Sequence, residues 1–219
     1  PARAGDAAAG DDAAGTADLK LPEERNDCFV YVPPTYRAET PHGLLMFVTA
    51  PGKFNKARWE KQWAPLCAKH HLIVVAPQPA DKGGWETTEV EFLRKVYDES
   101  LRRYAIDENR VVVHGEEIGG TFGALFAFSN EEVIRGVSLV EGGLPRRAAV
   151  PASDPAHRMA YHFAHAAKSE RAAAIKAMVE KLTAMKLPVA VQTIQSDSGA
   201  LSDAERAAFA RWVDSLDRL

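Results

Sequence analysis

The sequence predicts an α/β fold: a doubly wound, mainly parallel sheet with helices on both faces. Three observations carry this. Strand-like and helix-like segments alternate along the body of the chain. Most strand-like segments are apolar throughout, as strands covered on both sides must be. The helix-like segments carry an apolar stripe at helical spacing.

The elements follow in chain order. Residues 1–20, dominated by Ala, Gly and Asp, have too little apolar surface to bury. They are expected to be a flexible linker, with one folded domain over residues 21–219. Such a start also suggests a piece cut from a longer, multidomain protein. CFVYVP (28–33) is β-branched and aromatic and reads as a strand ended by Pro33-Pro34. LLMFVTA (44–50) is a buried strand broken by Pro51-Gly52. A helix follows over 55–70, with Trp59, Trp63, Leu66 and Cys67 on one face. LIVVAP (72–77) is the next buried strand. Residues 88–104 form an amphipathic helix, with Thr88 and Glu91 placed to make a capping box.

RVVVHG (110–115) is again a buried strand, and a helix over 120–128 follows after a Gly-rich turn. GVSLVEG (136–142) and HRMAYHFAHA (157–166) are strands. Between them GGLPRRAAVPASDPAH is interrupted by Pro145, Pro151 and Pro155, so the crossover has no room for more than minimal structure. A sheet face left thinly covered there could dock another domain or a partner. A helix over 170–186, a last strand over 188–194 and a helix over 202–216, capped by Ser202 and Glu205, close the chain.

Composition bounds the function. Hydrophobic residues make up 46% of 219, enough for a core without disulfides or metals. The net charge is −3 with no basic block, which excludes a nucleic-acid binder. No apolar run approaches the ~20 residues that span a bilayer. Cys28 and Cys67 form no CxxC pair, and no histidine pair has metal-site spacing, so neither a metal nor a cofactor is expected. The two cysteines are either buried thiols or one long-range disulfide.

The most informative stretch is DENRVVVHGEEIGGTFG (107–123). A buried strand runs into Gly115-Glu116-Glu117-Ile118-Gly119-Gly120 and straight into a helix. That is the layout of a nucleophile elbow, G-x-S-x-G, where a sharp turn lifts one side chain above the sheet. Tyr104-x-x-Asp107-x-x-Arg110 leads into it. On these residues the chain resembles the α/β-hydrolase superfamily, nearest its secreted esterase and polyhydroxybutyrate-depolymerase-like branch, over residues 26–219. Through CFVYVPPTY and HRMAYHFAHAAKSE it is also similar to degenerate hydrolase-like domains at the C-terminal end of bacterial proteins carrying PDZ modules. The resemblance implies an α/β-hydrolase fold without a lid domain and an extracytoplasmic location, periplasmic or secreted.

Set against the family pattern, the catalytic positions are altered. The nucleophile position holds Glu117, which has no hydroxyl to attack a carbonyl. The loop that carries the family histidine reads QSDSGA (195–200), with Asp197 and Ser198 in its middle, and no histidine follows His165. The turn that carries the acid offers Lys168, Ser169 and Glu170; Glu170 also suits the first turn of the next helix. The oxyanion loop is Thr49-Ala50-Pro51-Gly52. Of the other histidines, His114, His162 and His165 read as interior strand residues, His70 and His71 as a helix end, and His42 and His157 as loop residues.

The expectation is a catalytically inactive domain serving as an interaction or ligand-binding module. Its partners would be other domains of the same chain, a protein or a small molecule, the last bound at Thr49, Gly52, Glu117 and Ile118. Glu117 could instead plug the old site by accepting the backbone N–H bonds at the helix start, or simply face solvent. The alternative function is an active ester or peptide hydrolase centred on Glu117, with His162 or His165 swung in as the base.

Overall fold

The computed structural model describes residues 14–52, 54–152, 154, 157–196 and 199–218. Eight strands form one sheet: β1 (Gly15–Asp18), β2 (Cys28–Val32), β3 (His42–Val48), β4 (Leu72–Pro77), β5 (Ile106–Glu116), β6 (Gly136–Val140), β7 (Ala160–Ala166) and β8 (Val189–Ile194). Their spatial order is β1-β2-β4-β3-β5-β6-β7-β8. The pairs β1/β2 and β2/β4 are antiparallel, and every pair from β4 to β8 is parallel. The chain moves outward from β3 to β4 and then crosses back to place β5 on the other side of β3. A crevice opens at such a reversal, above the C-terminal ends of the strands.

Among the described residues five α-helices cover the sheet: α1 (Lys56–His70), α2 (Val90–Arg103), α3 (Glu117–Ser129), α4 (Ala172–Ala184) and α5 (Asp203–Asp214). The strands split their side chains between two cores, as a period of two requires. Leu44, Met46, Ile73 and Val113 pack with Phe92 and Val96 of α2, Phe126 of α3 and Ile175 of α4. Leu45, Phe47, Val74 and Val112 pack with Trp59 and Trp63 of α1 and Phe209 and Val213 of α5. The β6–β7 crossover holds no helix among its described residues. No helix among the described residues is long and apolar enough to cross a membrane. Cys28 and Cys67 are both free and buried.

The structure departs from the sequence expectations in several places. The expected linker falls on residues 1–20, of which 1–13 lie outside the described residues. Within the remainder, Gly15–Asp18 form β1, paired with β2. Leu19 is 1% exposed, and its N–H donates to the Cys28 carbonyl. A short polar strand needs only a neighbour's edge and one apolar anchor, and neither shows in local composition.

The capping box before α2 is made by Glu86 and Glu89, not Thr88 and Glu91. A 3-10 turn over Thr87–Glu89 shifts the start by two residues. The box expected at Ser202 and Glu205 is present. α4 starts at Ala172, which leaves Glu170 exposed before the helix, without the expected first-turn role. His42 is the first residue of β3 and buried rather than in a loop. Its ring packs edge-on against Tyr36 and His71.

Candidate functional site: the elbow cavity

β5 passes into α3 without a linking residue, and the turn falls on Glu117, whose φ is +50°. A side chain is strained in this left-handed region, and such strain concentrates at functional positions. The flanking glycines are sterically required. A Cβ on Gly115 would lie 2.4 Å from Gly120 Cα, and one on Gly119 would lie 2.5 Å from the Thr49 carbonyl carbon. The elbow expected from the sequence is therefore formed, with α3 beginning at Glu117, three residues earlier than the periodicity predicts.

Beside it is a cavity of about 370 Å³. β3 supplies Phe47 and, just past its end, Thr49 and Ala50; the elbow supplies Glu116 and Glu117. Val140 ends β6 and Glu141 follows it; Arg58, Trp59, Gln62 and Trp63 come from α1, with Phe54 and Asn55 just before it. The segment from Gly199 to Leu201 and Arg206 of α5 close the far side. This is the crevice that the strand order creates. Thr49 is held in place by the Trp85 indole, which donates to its carbonyl at 2.8 Å and stacks on Phe122.

Thr49 and Glu117, two of the expected ligand-binding residues, thus share one cavity. Gly52 and Ile118 are not part of its lining; Ile118 is instead 57% exposed. Glu117 is exposed, and no hydrogen bond or ion pair among the described residues engages its carboxylate. The plug is therefore not formed, and its solvent-facing alternative is what the structure has. A carboxylate with access to water has no need of the orphan N–H groups.

At the acid position, Lys168 and Glu170 are exposed, and the Ser169 hydroxyl donates to Glu141 at 2.5 Å. Glu141 also accepts from the Ala166 N–H at 2.5 Å and has φ +48°. It ties the end of β6 to the end of β7. Asp197 and Ser198 lie outside the described residues. Arg58, Phe54, Glu141 and Arg206 were not singled out from the sequence. Arg58 sits on the polar face of a helix and reads as solvated, and Glu141 reads as a strand end. Only the meeting of the strand ends makes them a wall.

Among the described residues no histidine lines the cavity. His114, Ser138 and His162 instead stand side by side across β5, β6 and β7, in register, beneath α5. Ser138 Oγ lies 3.0 Å from the Nδ1 of each ring, and His162 Nε2 lies 3.1 Å from Gln192 Oε1. One hydroxyl has one proton, so it donates to one ring and accepts from the other. Phe209 packs on both rings, and Trp63 packs on His114. Burial pushes the pKa of His114 down to about 3, with the His162 charge adding to it, and that of His162 down to about 4. Ser138 is fully buried, so no substrate reaches it. His162 is held in this row and is not a base for Glu117. His165 lies on β7, its Nδ1 3.0 Å from the Ala166 carbonyl oxygen.

No protein-family model matches the chain, and no curated protein does. Solved structures do. MGS-M1, an α/β-hydrolase enzyme from a Medee basin deep-sea metagenome library, superposes with a TM-score of 0.67 at 13% identity, over 94% of this chain and 98% of that one. A carboxylesterase from Mesorhizobium loti gives 0.66 at 15% identity, over 90% and 98%. The S-formylglutathione hydrolase FrmB from Staphylococcus aureus gives 0.62 at 12% identity, over 92% and 97%. Likeness over nearly the whole of both chains, together with the elbow and the strand order, shows that this chain has the α/β-hydrolase fold.

Proposed function

We propose that this is a non-catalytic hydrolase-fold domain whose elbow cavity binds a small molecule. One observation carries the reading: the side chain raised at the elbow is a carboxylate, and among the described residues no imidazole lines the cavity beside it. Acyl transfer through a hydroxyl needs a base within hydrogen-bond reach. Carboxylate attack would form an acyl-enzyme that only an activated water could release. The cavity retains what binding needs, an apolar wall with a few convergent polar groups. The reading as one module of a larger exported protein rests on the sequence resemblance alone.

The test is a panel of p-nitrophenyl esters of increasing acyl length, assayed with the wild type, Glu117→Ser and Glu117→Ala. The expected result is no enzyme-dependent hydrolysis by any of them, because restoring the hydroxyl restores neither base nor acid. Turnover by the wild type that Glu117→Ala abolishes would select the active-hydrolase alternative. A thermal-shift screen with a small-molecule fragment library then asks whether the cavity binds; stabilisation without turnover supports the reading.

A further inference from the structure

The charges around the elbow cavity are not equivalent. Glu141 is committed to the Ala166 N–H and the Ser169 hydroxyl. Arg206 is committed to the Leu201 carbonyl and the Asp203 carboxylate and is 6% exposed. Glu141 ties two strand ends, and Arg206 is buried, its terminal nitrogens bonded and its Nε unpaired among the described residues, so neither is a free, exposed charge. Glu117 and Arg58 differ: both are exposed, both line the cavity, and no side-chain hydrogen bond or ion pair among the described residues engages either. Glu117 stands on the elbow, where its backbone conformation fixes its exit direction. Arg58 stands on α1, a different element of the same cavity lining. The same lining holds the rings of Phe54 and Trp59, their centroids 6.4 Å apart. At the cavity wall Thr49, only 3% exposed, carries a hydroxyl with no partner among the described residues.

A free carboxylate, a free guanidinium and aromatic rings lining one cavity match a molecule with the reverse charges. Resting on the binding function proposed above, we infer that the cavity takes a zwitterion of dipeptide size. Its ammonium sits against Glu117, its carboxylate against Arg58, and its apolar body on Phe54 and Trp59. A guanidinium presents paired donors to a carboxylate, and a carboxylate accepts from an ammonium, so both ends form charge-assisted bonds.

The probe is phenylalanyl-glycine with both ends free, compared by calorimetry with its N-acetyl form, its C-terminal amide and the doubly blocked form. The free dipeptide is expected to bind at least tenfold more tightly than either singly blocked form. Glu117→Gln should weaken the free dipeptide about tenfold and remove the effect of N-acetylation. Arg58→Gln should weaken it about tenfold and remove the effect of amidation. Both positions are exposed, so both variants should fold, and circular dichroism melts confirm it. Equal binding of the free and blocked forms, or variants that leave the pattern unchanged, would overturn the inference. Failure of all four dipeptides while other library fragments bind at the cavity overturns the zwitterion alone. Failure of every fragment overturns the binding function with it.

Discussion

Glu117 and its glycines set two expectations at the scale of single residues. Because the Glu117 carboxylate is exposed and unbonded, Glu117→Gln should change stability by less than about 0.5 kcal/mol in urea melts. A loss well above 1 kcal/mol would mean that the carboxylate does accept the α3 N–H groups in solution. Gly119→Ala should behave oppositely. Its Cβ would meet the backbone of Val48 and Thr49 at 2.5–2.7 Å, and backbone atoms cannot rotate away. A loss of about 2–3 kcal/mol is expected, from overpacking that moves β3 away from α3. An unchanged urea midpoint would show that the elbow is looser than its geometry. Trp85, which holds the Thr49 carbonyl, shares the same contact line.

The row His114–Ser138–His162 belongs to the scale of elements, since it exists only because β5, β6 and β7 are in register. Ser138→Ala leaves a buried ring nitrogen of each histidine without its partner, at a cost of about 1–3 kcal/mol at neutral pH. The same row makes stability depend on pH. Both rings resist protonation in the folded chain and accept it near pH 6.5 when unfolded. The unfolded state therefore binds more protons below about pH 6.5, and stability falls as pH drops from there toward 4. Two groups give a limiting slope of about 2.7 kcal/mol per pH unit. Urea melts between pH 7.5 and 4.5 measure it. His114→Phe, which keeps a ring among Trp63, Phe47 and Phe209, should roughly halve the slope. A flat profile would mean that these rings titrate normally in the fold.

For the whole molecule, the question is how far the fold extends toward the chain start. β1 closes one edge of the sheet, and Leu19 anchors it in the larger core. Leu19→Ala should cost about 2–4 kcal/mol, as other buried leucine truncations do. A loss under 0.5 kcal/mol would mean that the domain ends at β2. At the opposite edge β8 presents Val191, 51% exposed, and its strand contains no charge. Between these edges the chain steps back from β3 to β4 and then crosses to place β5 on the other side of β3, and there the elbow cavity opens.

Much of this was legible in the sequence, and the reasons are local. Apolar runs such as LLMFV and LIVVA can be satisfied only between two layers, so they predict buried parallel strands. The spacing of Phe209, Trp212, Val213 and Leu216 predicts a helix face, and Ser202 with Glu205 predicts its start. The glycines at 115, 119 and 120 predict the elbow because no other residue lets strand and helix approach so closely. β1 was not legible, because its pairing partners lie 11 to 17 residues further along the chain and GTAD has no apolar period. The capping box at Glu86 was missed for a similar reason: a 3-10 turn precedes α2 and moves its start.

The sequence by itself determined the fold class, the elbow and the replacement of its nucleophile by a carboxylate, because each is written in the period or identity of neighbouring residues. Tertiary structure alone decided which side chains face one another across the crevice. It brought Arg58 and Glu117 to one cavity, set Glu141 to tie two strand ends, and sealed His114 and His162 beside Ser138. Those relations depend on the register and order of strands far apart in the chain, and no local pattern encodes a distance between them.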